Sequence, residues 1–393
     1  MIYADNAATT KMSRAAIQAM LPYLDGVYGN PSSLHSAGQR AQEALSAARE
    51  KMAALLGCLP SEITFTSGGS EADNQALVSG AAIGARKGKK HIVSTAFEHH
   101  AVLHTLKKLE KEGFEITLVP VDGLGMVSPE AIEAAIRPDT CLVSVMYANN
   151  EIGTVQPIPE IAAICKSKGV LFHTDAVQAA GHIPVSLENV DMLSMSAHKF
   201  HGPKGAGLLY ARRGVKLTNV IEGGAQERGR RAGTENVAAI AGMAAAFEES
   251  VHAMQADADK LNRLSDILIA GLSEIPHGIL NGDRVKRLPG SVSFCFEGIE
   301  GESLLLMLDD MGVCASSGSA CTSGSLDPSH VLLAIGRPHE IAHGSLRLTL
   351  SAENTEEDAR EVVRCVKEVV EKLRGMSPVW RELQNGTRKY FLR

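Results

Sequence analysis

The residues best suited to chemistry lie around a lysine that precedes a glycine-rich loop. Lys199 follows a run of small residues, lies between His198 and His201, and is followed by glycines and Lys204. Lysine becomes a nucleophile where burial or neighbouring cations lower its pKa, and these neighbours can supply such an environment. A lysine beside glycines is more often a solvated loop residue. The interpretation of Lys199 as a buried residue that forms a Schiff base therefore depends on the rest of the chain.

A second cluster, Ser67-Gly68-Gly69-Ser70, connects a predicted strand to a predicted helix. Free backbone N–H groups and the helix dipole at such a turn favour an anion such as phosphate, although many turns of this kind only cap a helix. The turn lacks the Lys-Ser/Thr ending of a nucleoside triphosphate loop. A cofactor with one phosphate therefore fits it better than ATP.

Asp175 follows another predicted strand. A carboxylate there can hold the protonated pyridine nitrogen of pyridoxal phosphate while Lys199 forms the Schiff base. His99 can stack on the ring, and Gln178 or Asn150 can donate to the ring hydroxyl. Each of these residues alone has an ordinary explanation as a cap, a surface histidine or a turn residue. Together they favour one cofactor.

Two further candidates lie near the C-terminal end of the chain. Residues 315–325 are all small around Cys321, so we expect a mobile exposed loop that carries either a travelling nucleophile or an inert thiol. Cys314 is expected to be packed at a strand. Arg347, in an alternating strand, can clamp a substrate carboxylate, although a solvent-exposed arginine on an edge strand is commoner.

The composition indicates a globular protein and excludes several classes. The chain has 393 residues, 45% of them hydrophobic, and a formal net charge of -6, so nucleic acid and anionic membranes are poor partners. No signal sequence or membrane span is evident, and we expect a cytoplasmic location. The seven cysteines show no metal-ligand spacing, so neither a metal site nor a disulfide scaffold is expected. Four of them are predicted to be buried: Cys58, Cys141, Cys165 and Cys365.

Strand-like and helix-like segments alternate along the first half of the chain, after an amphipathic helix at residues 35–56. Strands are predicted at residues 62–66, 91–95, 115–121, 141–147 and 170–173. Helices are predicted at residues 71–86, 101–111, 129–136 and 158–168. This alternation favours an α/β fold with parallel strands, whose ligands bind at the carboxyl ends of the strands.

A long helical stretch at residues 236–272 separates this part from a smaller α+β unit. In that unit, strands are predicted at 291–296 and 345–350, and helices at 302–311 and 355–373. We therefore predict a large domain at residues 11–255. The small domain would combine residues 1–10 with residues 256–393.

These motifs in combination resemble cysteine desulfurases of the NifS/IscS type, in the class V aminotransferase group of fold-type I pyridoxal-phosphate enzymes. The matching stretches, which span almost the whole chain, are residues 3–10, 28–33, 66–74, 98–99, 149–153, 173–178, 196–207, 227–234, 316–323 and 344–350. The resemblance implies a large domain with a mostly parallel seven-stranded sheet, a small α+β domain and a homodimer.

The resemblance also implies roles for residues that hold the cofactor. Lys199 would carry pyridoxal 5'-phosphate, Asp175 would pair with its ring nitrogen, and His99 would stack and take part in proton transfer. Gln178 and Asn150 would contact the ring oxygen, and Asn150 also the substrate. The phosphate ligands would be Gly69, Ser70, Ser196, His198 and, from the other subunit, Thr234.

The remaining implied roles concern L-cysteine. Arg347 would hold its carboxylate, and Cys321 would take its sulfur, giving alanine and a persulfide for an acceptor such as an iron-sulfur scaffold protein. A selenocysteine lyase or aminotransferase on the same fold would not require the Cys321 loop. A non-catalytic scaffold protein would have no reason to keep Lys199, Asp175 and Cys321 together. The sequence therefore favours a desulfurase.

Overall fold

The computed structural model of the chain describes residues 1–317 and 328–392. The strands in chain order are β1 (Ile2–Tyr3), β2 (Ile63–Thr66), β3 (His91–Thr95), β4 (Glu115–Val119), β5 (Thr140–Ser144), β6 (Leu171–Asp175), β7 (Met192–Ser196), β8 (Gly207–Ala211), β9 (Gly278–Leu280), β10 (Ser291–Phe296), β11 (Val313–Cys314) and β12 (Ser345–Thr349).

The helices in chain order are α1 (Arg14–Leu24), α2 (Ser36–Leu56), α3 (Gly69–Ala85), α4 (His100–Lys111), α5 (Pro129–Ala135), α6 (Ile158–Lys168), α7 (Gln226–Gly229), α8 (Val237–Ser273), α9 (Gly301–Asp310), α10 (His330–Ala334), α11 (His339–Ala342), α12 (Glu356–Met376) and α13 (Pro378–Gln384). The helix predicted at residues 35–56 is α2, which ends at Leu56 and is capped by Gly57 in the left-handed conformation at a φ of 71°.

The main sheet has seven strands in the order β2-β8-β7-β6-β5-β3-β4. Strands β3 to β7 pair in parallel, whereas β8 is antiparallel to both β2 and β7. The mostly parallel seven-stranded sheet is therefore confirmed.

Alternate residues of this sheet face two different layers of helices. Ile92 and Leu142 pack in one buried cluster with residues of α3 and α4. Val93 and Val143, the next residue along each strand, pack in another cluster with residues of α2, α6 and α8. Helices on both faces explain why β3 and β5 are buried along their whole length.

A second, antiparallel sheet has the strand order β12-β10-β9. It shares a buried cluster with α9, α12 and the C-terminal half of α8, whereas the N-terminal half of α8 packs with the main sheet. The start of the chain joins this second cluster, since β1 pairs in parallel with β11.

Several smaller observations bear on the sequence expectations. Cys141, Cys165 and Cys365 are buried, whereas Cys58, in the turn after α2, and Cys314, the last residue of β11, are only partly buried. Over the described ranges of the chain, the helices include none that is both long and apolar enough to cross a membrane.

Candidate active site

A cavity of about 310 Å³ lies at the carboxyl ends of the parallel strands. Residues from several loops line it, as expected for ligand sites in open α/β sheets. Ten residues predicted from the sequence contribute: Gly69, Ser70, His99, Asn150, Asp175, Gln178, Ser196, His198, Lys199 and Arg347. Asp73, Ala7 and Ala8 also line the cavity, although none of them was predicted as a site residue.

Lys199 lies in a single 3₁₀ turn directly after β7. Its Nζ atom donates hydrogen bonds to the carbonyls of Ala7 at 2.6 Å and Ala8 at 2.9 Å. The side chain is partly buried rather than fully buried as we expected, because it borders the open cavity. The N-terminal segment thus holds the lysine head inside the cavity.

Asp175 is the last residue of β6 and is buried. Its Oδ1 atom accepts a hydrogen bond from the Val177 backbone N–H at 2.8 Å. Burial raises the pKa of Asp175 to about 6, while this hydrogen bond and the charge of Lys199 act in the opposite direction. A cation placed against this carboxylate, such as a protonated ring nitrogen, would favour its ionised form.

A buried polar network that sequence reasoning missed lies close to Asp175 and includes Asp73 of α3. Asp73 Oδ1 lies 3.7 Å from His173 Nε2, and the two ring nitrogens of His173 lie 2.9 Å from Ser144 Oγ and 3.0 Å from Ser194 Oγ. Burial, followed by the charge of Asp175, raises the pKa of Asp73, and burial lowers the pKa of His173 to about 3. Burial thus favours the neutral forms of both Asp73 and His173, whereas the charge of Lys199 and the hydrogen bond from Val177 favour the ionised form of Asp175.

His99 is the N-cap of α4, where its Nδ1 atom accepts from the Ala101 backbone N–H at 3.1 Å. That bond places the proton of the neutral ring on Nε2. Burial and the charge of Lys199 lower the pKa of His99 to about 4. His99 is accordingly a neutral imidazole at the cavity, with an N–H donor on its Nε2 atom.

The start of α3 has no room for a side chain at Gly69. The N-cap is Gly68, at a φ of 155°, and a Cβ on Gly69 would lie 2.5 Å from Val177 Cγ2. The exposed N–H groups of this turn point to an anion site. Ser196 and His198 border the same cavity. This donor set fits the phosphate of pyridoxal phosphate.

Thr234, the remaining predicted phosphate ligand, is exposed and does not line the cavity of this chain. The resemblance assigned it to the site of a second subunit.

Arg347 lies in β12 and is 2% exposed, although β12 is an edge strand. Its Nη2 atom donates to Asp5 Oδ1 at 2.8 Å, and its Nη1 atom donates to the Asn150 carbonyl at 3.2 Å. The Nε atom is buried and has no hydrogen-bond partner in residues 1–317 and 328–392. A buried guanidinium with an unused donor at a cavity is suited to binding a carboxylate.

Gln178 donates through Nε2 to the Ala7 carbonyl at 3.0 Å, so it too contacts the N-terminal segment. Cys321 lies outside the described residues. In the part of the chain that is described, no group of three or more His, Cys, Asp or Glu side chains is arranged to hold a metal ion.

Comparisons with known proteins agree with this geometry. Residues 2–362 match the aminotransferase class-V family. The chain is 53% identical to a cysteine desulfurase IscS of Methanosarcina thermophila, covering 96% of this chain and 94% of that protein. A cysteine desulfurase IscS of Clostridium botulinum is 52% identical over 97% of both chains.

A solved structure of a NifS-like protein superposes with a TM-score of 0.89 at 40% identity, covering 95% of this chain and 100% of the other. The chain belongs to the aminotransferase class-V family, within its cysteine desulfurases of the NifS and IscS type.

Proposed function

We propose that the protein is a pyridoxal-phosphate-dependent cysteine desulfurase, which converts L-cysteine to L-alanine and transfers the sulfur to Cys321. One observation carries the proposal. A lysine, a strand-end carboxylate and a buried arginine with an unused donor, namely Lys199, Asp175 and Arg347, border one cavity. The named activity of the similar proteins supports the same chemistry.

The predicted site residues have the following proposed roles in binding the cofactor. The carboxylate of Asp175 would hold the ring nitrogen, the His99 ring would lie against the ring face, and Lys199 would make the covalent attachment. Gln178 and Asn150 would contact the ring oxygen. The phosphate would bind to the N–H groups at Gly69 and Ser70, to Ser196 and His198, and to Thr234 of a second copy. When bound, pyridoxal phosphate supplies an electron sink for the substrate.

The chain's own residues then bind the substrate and accept its sulfur. The guanidinium of Arg347 would hold the carboxylate of L-cysteine, with Asn150 beside it. The thiolate of Cys321 would attack the substrate sulfur, so that an S–S bond forms as the Cβ–S bond breaks and its electron pair stays with the substrate carbon. That carbon takes up a proton. Cysteine and a protein thiol thus give alanine and a protein persulfide, with all atoms balanced.

Several features of the assembly belong to the proposal as well. We infer a homodimer that passes sulfur to an acceptor protein such as an iron-sulfur scaffold. The domain division at residue 255 is supported by α8, whose two halves pack in separate buried clusters. A cytoplasmic location is supported by the six cysteines of the described residues, which are all unpaired.

The proposed activity can be tested with purified protein loaded with pyridoxal phosphate. Wild type should release alanine and sulfide in equal amounts from L-cysteine with a thiol reductant. Lys199→Ala should lose both the visible absorbance of the bound cofactor and the release of alanine. A wild type that releases alanine only from L-selenocysteine would show that the protein is a selenocysteine lyase instead.

A further inference from the structure

Two contacts fasten Ser329 and His330 to loops that carry candidate site residues. Ser329 donates through its hydroxyl to the carboxylate of Glu151, the residue directly after Asn150. The Nε2 atom of His330 lies 2.9 Å from the carbonyl of Glu98, the residue directly before His99. The chain that follows residue 327 therefore attaches at two points to direct chain neighbours of cavity-lining residues.

The contact between Glu151 and Ser329 is buried and specific. Glu151 is 6% exposed and Ser329 is 4% exposed. The Ser329 oxygen is also the N-cap of α10, where it accepts from the backbone N–H of Val331 at 3.1 Å. One hydroxyl thus donates to the carboxylate and accepts from the helix. Because a buried carboxylate is costly without partners, this arrangement holds Ser329 firmly.

Ser316, which precedes residues 318–327, is attached through Arg347 to the same loop as Glu151. The backbone N–H of Arg347 donates to the Ser316 carbonyl at 2.6 Å, and the Ser316 N–H donates to the Arg347 carbonyl at 3.2 Å. The side chain of Arg347 in turn donates to the carbonyl of Asn150. Ser316, Arg347, Asn150, Glu151 and Ser329 therefore form a connected series, and two of its members, Arg347 and Asn150, line the cavity.

We propose that Glu151 is a positioning residue for the sulfur-transfer step, which acts by holding Ser329 beside the substrate site. The sequence places Cys321 between the two attached residues Ser316 and Ser329. This role rests on the proposed desulfurase function. It requires that the loss of the Glu151 contact slows transfer of sulfur to Cys321 more than it weakens binding of L-cysteine.

The test compares Glu151→Ala, Glu151→Gln and Ser329→Ala in the cofactor-loaded protein. Ser128→Ala is a matched control, since Ser128 is also an N-cap serine that donates to a glutamate, at 2.5 Å from Glu130, but on the exposed start of α5. Two quantities are measured: the affinity for L-cysteine from cofactor absorbance, and the rate of persulfide formation on Cys321 by mass spectrometry.

Glu151→Ala and Ser329→Ala should form the persulfide about 10-fold or more slowly, with an affinity for L-cysteine within about twofold of wild type, since small misplacements of a reacting group have effects of this size. Glu151→Gln, whose amide oxygen can still accept from Ser329, should recover most of the rate. Ser128→Ala should match wild type.

An unchanged persulfide rate in Glu151→Ala would overturn the positioning role, and so would equal losses of affinity and rate in both alanine variants. If Glu151→Ala does not fold, Ser329→Ala decides between these outcomes. A wild type that forms no persulfide at all would instead refute the desulfurase function itself.

Discussion

The Nη2 atom of Arg347 lies 2.8 Å from the Oδ1 atom of Asp5, so the candidate substrate clamp already holds a carboxylate of its own chain. Asp5 is only two residues before Ala7, whose carbonyl accepts from Lys199. The N-terminal segment therefore contacts both the lysine and the arginine of the cavity. A substrate carboxylate bound by Arg347 would lie close to the negative charge of Asp5.

Removing that charge should strengthen substrate binding. In Asp5→Asn the amide oxygen can still accept from Arg347, so the guanidinium stays oriented while the repulsion disappears. We expect the dissociation constant of L-alanine, the product carboxylate, to fall by about threefold to tenfold, which corresponds to roughly 1 kcal/mol. Absorbance titration of the cofactor-loaded protein measures it. Glu353→Gln, which removes an exposed carboxylate paired with Lys11, is the control. Weaker binding of L-alanine to Asp5→Asn than to wild type would show that Asp5 does not repel the bound carboxylate.

A side chain at Gly69 should weaken cofactor binding. A Cβ there would lie 2.5 Å from Val177 Cγ2, so Gly69→Ala must displace the turn that we assign to the phosphate. The double variant Gly69→Ala/Val177→Ala removes the colliding methyl group and should regain much of the affinity for pyridoxal phosphate. Equilibrium dialysis measures the affinity of wild type and of each variant for pyridoxal phosphate. Equal affinities for wild type and Gly69→Ala would show that this turn does not bind the phosphate.

The sequence predicted the site residues that can be recognised from their residue type and from their position near the end of a strand. Lys199, Asp175 and His99 lie at or just after the carboxyl ends of strands, and parallel strands bring these ends together. Asp73 and Asp5 were missed for a physical reason. Asp73 lies inside a helix and Asp5 in a short N-terminal segment, and only the three-dimensional fold brings them to the cavity.

The helices and strands likewise divide into those that the sequence predicted and those that it did not. The strand β3 and the periodic helix α2 were predicted nearly to the residue, whereas β8 and α1 were not foreseen. Residues of β8 directly follow a glycine-rich loop and complete the sheet only by pairing antiparallel with both β2 and β7. Such pairing depends on long-range contacts, which local periodicity does not report.

The buried carboxyl of Glu98 should make stability depend on pH. Its Oε1 atom accepts from Thr95 Oγ1 at 2.6 Å and from the Met146 N–H at 3.0 Å. Burial raises the pKa of Glu98 to about 8, so the folded protein keeps a proton that the unfolded chain releases. The stability from this protonated carboxyl is complete below the unfolded pKa and is lost as the pH rises through about 8.

The variant Glu98→Gln mimics the neutral form and should remove this loss. Its free energy of unfolding should match that of wild type near about pH 5 and exceed it increasingly toward about pH 9, by at most about 1.4 kcal/mol per pH unit. Urea unfolding at both pH values provides the measurement, with the exposed Glu302→Gln as control. If the difference in free energy of unfolding between wild type and Glu98→Gln does not change with pH, the carboxyl of Glu98 is not the source of the pH dependence.

Glu227 should be critical for the stability of the folded chain. Its carboxylate accepts from Arg49 Nη2 at 2.5 Å, from Arg49 Nη1 at 2.9 Å and from the Phe65 N–H at 3.0 Å, and the ion pair is buried. Glu227→Ala leaves the Arg49 charge buried and unpaired, so we expect a loss of about 3–5 kcal/mol in the free energy of unfolding. Glu361→Ala, which breaks an exposed pair with Arg364, should leave the urea midpoint nearly unchanged. Similar urea midpoints for Glu227→Ala and Glu361→Ala would contradict the importance of the buried Arg49–Glu227 pair for stability.

The most direct test of the desulfurase function is the mass of the Cys321 peptide after wild type and Cys321→Ser have each reacted with L-cysteine without reductant. We predict that wild type gains one sulfur atom on Cys321 and forms an equal amount of alanine. Cys321→Ser should keep the cofactor absorbance but form neither persulfide nor sulfide. Undiminished sulfide release by Cys321→Ser, or a wild-type peptide without added sulfur, would contradict the proposed role of Cys321.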